Sequence, residues 1–95
     1  SALRNETDYG NNVAIGEQAL TAQDAGATAY NVAVGYKAGV AVTTGTQNVL
    51  VGGLAGDALT TGSHNIAIGQ FALTALNPTT SSAGNGNVSL GFNST

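Results

Sequence analysis

The chain of 95 residues is 42% hydrophobic but only 7% charged and 5% aromatic, with a formal net charge of −3. Arg4 and Lys37 are its sole cations, which disfavours nucleic acid as a partner because no basic patch can neutralise phosphates. It has no cysteine, hence no disulfide framework or thiolate metal site, and no run of about 18 apolar residues that could span a bilayer.

Residues 1–11 form a lead-in carrying Arg4, Glu6 and Asp8, read as a solvated segment or the tail of a preceding repeat. From Asn12 onward the chain repeats itself. The motif Asn12-Val13-Ala14-Ile15-Gly16 returns as Asn31-Val32-Ala33-Val34-Gly35, Asn48-Val49-Leu50-Val51-Gly52, Asn65-Ile66-Ala67-Ile68-Gly69 and Asn87-Val88-Ser89-Leu90-Gly91. Such self-similarity defines a repeat domain over 12–95, with units starting at 12, 31, 48, 65 and 87. The spacings are 19, 17, 17 and 22 residues, so the unit is 17 residues with short insertions in the first and fourth copies.

Each motif reads as a strand. Side chains alternate along a strand, so Val13 and Ile15 share one side and Asn12 and Ala14 the other. The glycine suits a sharp corner at the strand's end. At one-coil spacing, Asn12, Asn31, Asn48, Asn65 and Asn87 are expected to stack as an amide ladder, and the valines and isoleucines as apolar columns. The side formed by Ala14, Ala33, Leu50, Ala67 and Ser89 is small and uncharged, which implies that another backbone approaches it closely. A coil of this length encloses little apolar surface of its own. The missing burial is therefore expected from other copies of the chain, through this small face.

The return half of each unit carries alanines three apart, Ala19 and Ala22 in the first unit, and closes on Gly26, Gly45 or Gly62. This pattern fits a bent strand or a single helical turn, and local pattern does not choose between them. Thr43-Thr44-Gly45 and Thr60-Thr61-Gly62 read as return turns. In the fourth unit, the insertion over 76–84 contains Pro78 and is expected to bulge outward as a loop. No signal peptide is visible, and the chain is read as a piece of a longer protein.

These residues resemble the head repeats of trimeric autotransporter adhesins, the YadA-like head, whose hallmark is one Asn/Ser-Val-Ala-Ile-Gly strand per repeat. The resemblance covers Asn12 to Gly91. Similar repeats occur in bacteriophage tail fibres, and the longer unit with Thr-Thr-Gly over 36–69 looks as close to those. The resemblance implies an all-β fold, a left-handed parallel β-roll (solenoid) of about five coils, assembling side by side into a homotrimer. It implies a roll core of Val13, Ile15, Val32, Val34, Val49, Val51, Ile66, Ile68, Val88 and Leu90. Ala14, Ala33, Leu50, Ala67 and Ser89 would then form the trimer interface. It places the chain outside the cell, on a bacterial surface through regions not in this chain, or in a virion tail fibre.

Nothing in the chain asks for catalysis, a cofactor or a metal. His64 is the sole histidine, and equivalent places hold Asn11, Tyr30, Gln47 and Gly86, so it reads as a surface or turn residue. Three copies of His64 at a trimer axis could hold Zn²⁺ or Ni²⁺, but His64 shares its side with Ile66 rather than Ala67, which argues against that. Glu17, Asp24 and Asp57 are scattered surface charges, and Gly52 to Asp57 has the wrong spacing for a calcium-binding β-roll. Tyr30, Tyr36 and Phe71 are the candidate surface-binding residues, since exposed aromatics stack on sugars or grip proteins. The expected function is a non-catalytic trimeric module for adhesion to a host protein or glycan, with a structural spacer in a tail fibre as the alternative. A threonine-ladder binder of ice or crystal surfaces would need threonine on every rung, and the first unit has Asp24-Ala25 there.

Overall fold

The computed structural model describes residues 11–23, 29–73 and 86–92. Within them are β1 (Val13–Ile15), β2 (Val32–Val34), β3 (Val49–Val51), β4 (Ile66–Ile68) and β5 (Val88–Leu90). They form one parallel sheet in the order β1-β2-β3-β4-β5. The register pairs like with like: Val13 with Val32, Val32 with Val49, Val49 with Ile66, and Ile66 with Val88. The fold is thus a parallel β-solenoid consistent with a β-roll, and the unbroken stretch 29–73 makes up nearly three of its turns.

Backbone hydrogen bonds run between coils around the whole turn, so few main-chain groups depend on side chains for a partner. The Val32 N–H donates to the Asn48 carbonyl of the next coil at 2.8 Å, whereas the Gly35 N–H donates back to Ile15 at 2.7 Å. The return half is neither a bent strand nor a helical turn. It is two successive tight turns, closed by Ala38 N–H to the Gly35 carbonyl at 3.1 Å and Val42 N–H to the Gly39 carbonyl at 3.0 Å. These turns need left-handed backbone at three further places per coil, seen in the third coil at Gln47 (φ 58), Leu54 (φ 62) and Gly56 (φ 61). Non-glycine residues in that region cost roughly 1 kcal/mol each, which the inter-coil bonds must offset.

The corner glycines are held by proximity as well as by φ. Gly35 has φ +135, and a Cβ built there would lie 2.6 Å from the Gly52 carbonyl carbon and oxygen; Gly52 stands in the same relation to Gly69. A column of glycines is what lets successive corners stack at strand spacing.

The core lies on the opposite side of the strands from the one expected. Val13, Ile15, Val32, Val34, Val49, Val51, Ile66, Ile68, Val88 and Leu90 do not fill the roll; they face outward, exposed or half-buried, with Ile15 60% and Val88 65% accessible. Ala33, Leu50, Ala67 and Ser89 are buried inside the roll, and Ala14 packs against that core. Ala14, Ala33, Leu50, Ala67 and Ser89 are thus turned inward and do not form the trimer interface expected of them, although another backbone does approach this face. That backbone is the chain's own return half, which lays the fully buried column Ala19, Ala38, Ala55 and Ala72 into the interior. The two walls lie too close for two columns of Val and Ile between them, so the larger side chains turn out.

Besides the column that holds Val42 and Leu59, the interior has room for one large side chain between strand and return, and the first, third and fourth coils fill it in two ways. The first and fourth coils place alanine on the strand (Ala14, Ala67) and leucine on the return (Leu20, Leu73). The third reverses this, with Leu50 on the strand and Gly56 on the return. A Cβ built on Gly56 would lie 2.8 Å from a Leu50 Cδ, and one on Gly39 2.7 Å from the other, so Leu50 occupies the space that a return-half leucine would use.

Candidate functional site

The candidate site is the outward face of the sheet. Two aliphatic columns run its height, Val13-Val32-Val49-Ile66-Val88 and Ile15-Val34-Val51-Ile68-Leu90. At about 4.8 Å per rung and 3.3 Å per residue, the face covers roughly 300 Å², comparable to the largest apolar patch on a typical monomer, which is often functional. It is bordered on both sides. Before each ladder asparagine stands an exposed residue: Asn11, Tyr30, Gln47, His64 or Gly86. After each corner glycine stands Glu17, Tyr36, Gly53, Gln70 or Phe92, all exposed except the half-buried Gly53. An aliphatic centre inside a largely polar margin is the anatomy of a protein interface.

The ladder behind one margin fixes this face. The Asn31 side-chain oxygen accepts the Asn48 N–H at 2.9 Å and its side-chain amide at 3.1 Å. Asn48 does the same for Asn65 at 3.0 and 3.1 Å, and Asn65 for Asn87 at 2.9 and 3.1 Å. Asn12 begins the series by accepting the Asn31 N–H at 2.8 Å. Two of the amides also tie the strand to the return half: Asn48 Nδ2 donates to the Gly62 carbonyl at 3.0 Å, and Asn31 Nδ2 to that of Gly45 at 2.9 Å. Asn31, Asn48 and Asn65 are fully buried, so these bonds form where water does not compete. Gln23, in the column that holds Val42 and Leu59 in the next coils, is buried as well; its Oε1 accepts from Asn31 Nδ2 while its Nε2 lacks a partner.

The three aromatic candidates divide. Tyr30 and Tyr36 lie at opposite ends of the second rung, 59% and 51% exposed, with Val32 and Val34 between them. The Lys37 ammonium sits 5.3 Å from the Tyr36 ring centroid, a cation–π contact. Phe71 is half-buried, with its ring edge-on to Phe92 at 6.2 Å and 71°. His64 is exposed, and its left-handed backbone (φ 61) interrupts the strand alternation on which the argument against an axial histidine rests. Among the described residues, however, no three metal-ligating side chains come together. Burial raises the Asp57 carboxyl above its ordinary range, and a hydrogen bond from its own backbone partly opposes this. Asp24, Pro78 and most of the lead-in lie outside the described residues. Among the described residues no helix is long and apolar enough to cross a membrane.

Compared with known proteins, the chain matches no family model, no curated protein sequence and no solved structure.

Proposed function

We propose that the chain is a non-catalytic fibre or head module that works as a homotrimer, displayed outside the cell for adhesion or receptor binding. The observation that carries this reading is the bordered aliphatic face. A patch of two in-register columns of Val, Ile and Leu has no use to a solitary chain, and sister copies carry the same uncharged, flat array. The contact runs through the Val/Ile columns, not through the alanine side inferred from the sequence.

Geometry favours three copies. Packed β-faces lie about 10 Å apart, so each face would stand about 5 Å from a shared axis. Three faces at that distance enclose a triangle of side about 17 Å, and four a square of side about 10 Å. At 3.3 Å per residue the outward face spans about 13 Å from Asn31 to Gly35, less than the triangle's side and more than the square's. Three such faces fit, whereas four would overlap. The roll is taken as left-handed with five coils, as its resemblance to adhesin heads implies, and the parent as a bacterial surface protein or a phage tail fibre.

The second reading is a structural spacer in a tail fibre. The regularity of the 17-residue coils from Asn31 and Asn48 favours it, because a spacer needs only repetition. Immobilising the assembled chain and screening a glycan array and a panel of extracellular-matrix proteins separates the two. Saturable binding that is lost on Tyr36→Ala supports adhesion. Silence on both surfaces rejects it in favour of the spacer.

A further inference from the structure

We propose that neighbouring copies join edge to edge, parallel and in register, with the residue before each ladder asparagine of one copy meeting the residue after the corresponding corner glycine of the next. This rests on the reading that the outward face is covered by sister copies. It adds which edge meets which.

When flat faces surround an axis cyclically, each copy offers one margin to the neighbour on its left and the other to the neighbour on its right. At equal height, the two margins complement each other in size. Gly53 stands opposite Gln47, and Gly86 opposite Phe92, so a long side chain meets a gap on both rungs that contain a glycine. On the second rung, Tyr30 meets Tyr36, a half-exposed ring with Lys37 5.3 Å from its centroid, and two aromatic rings can stack. His64 meets Gln70, and Asn11 meets Glu17, pairs that can each share a hydrogen bond. Glu17 is the only carboxylate in either margin, so no seam sets like charges together.

The alternatives are worse. An antiparallel seam brings each margin onto its own kind, so two Gln47 collide at the centre of one seam and two Gly53 leave a hole at the centre of the other. An odd ring cannot alternate direction at every seam in any case. A slip of one rung strips a pair of aliphatic side chains bare at each end of the stack. The pairing also sends each His64 to a separate seam, away from the axis.

The cysteine-free chain permits a direct test. Tyr30→Cys with Tyr36→Cys in one chain should, under mild oxidation, give a covalently closed ring of three chains that dithiothreitol returns to single chains. A disulfide needs Cα atoms within about 7 Å, so Tyr30→Cys with Gln70→Cys, about 10 Å apart along the stack, should stay uncrosslinked. Gln47→Cys alone should also stay uncrosslinked, because a covalent dimer there reports an antiparallel seam. Sedimentation of each reduced variant reads assembly independently. An assembly that forms without the Tyr30–Tyr36 crosslink, or with the Gln47 one, overturns the edge pairing and leaves self-association standing. A single-chain mass in sedimentation overturns both.

Discussion

The way strand and return share this one leucine site can be tested by moving the leucine. Leu50 is fully buried, and its two methyl groups lie where side chains on Gly39 and Gly56 would go. Leu50→Ala opens a cavity in the middle of the stack and should cost about 3 kcal/mol. Gly56→Leu forces a second leucine into the same space and should cost about 2 kcal/mol for overpacking, plus about 1 kcal/mol for left-handed backbone at a branched residue. Together the two changes give the third coil the arrangement of the fourth, where Ala67 faces Leu73 at φ 59. The double variant should therefore lose only the backbone term, about 1 kcal/mol, instead of the additive 6 or so, a coupling above the usual range for neighbours. Urea unfolding followed by circular dichroism, at one fixed chain concentration because assembly shifts stability, measures all three. A double variant as unstable as the sum of its parts would refute the idea that strand and return compete for one site.

Other substitutions probe separate parts of the stack. Gly52→Ala meets the Gly69 carbonyl group at 2.6 Å, whereas at Gly91 a Cβ meets nothing within 4 Å, and both have positive φ. Gly91→Ala should thus cost the backbone term of about 1–3 kcal/mol, and Gly52→Ala clearly more, with the two melting temperatures giving the comparison. Asn48→Ala removes the acceptor for the buried Asn65 N–H and the donor to Gly62, and should destabilise by about 3 kcal/mol in the same assay; a loss under about 1 kcal/mol would show that the ladder is ornamental. Because the folded-state pKa of Asp57 is raised, its ionisation opposes folding. The Asp57 contribution falls as pH rises from the unfolded value of 3.8 through the raised folded value, and the penalty persists above it. Asp57→Asn should be at least as stable as the parent at pH 7, with the gap closing on acidification; a gap that widens toward low pH contradicts the assigned cause.

Much of the scaffold was legible because repetition amplifies weak local signals. One Asn-Val-Ala-Val-Gly is ambiguous, but five copies at near-constant spacing locate the strands, their parallel register and the asparagine stack. Which side of the strand faces in was not legible. Alternation assigns Val32 and Val34 to one side and Ala33 to the other, and size suggests that the larger pair is core. Size misleads here because the return half brings its own alanines and leucines, leaving space for only a small strand face. Its one sequence trace is the exchange of Leu20 and Leu73, beside Ala14 and Ala67, for Gly56 beside Leu50. The left-handed residues were hidden for a different reason. Lys37, Leu54 and Phe71 share backbone φ and no side-chain chemistry, so no composition rule selects them. The margins of the outward face were invisible until that face was known to be outside, after which Tyr30 and Tyr36 became two ends of one rung.

The central claim is that the outward Val/Ile columns are covered by sister chains. Its most direct test is sedimentation equilibrium of the parent beside Val51→Glu, which sets a charge at the centre of that face without touching the roll interior. The parent should sediment at three times the 9.3 kDa chain mass. Val51→Glu should sediment as a single chain that keeps its β-type circular dichroism. A parent of single-chain mass, or a Val51→Glu assembly as stable as the parent, would contradict the account.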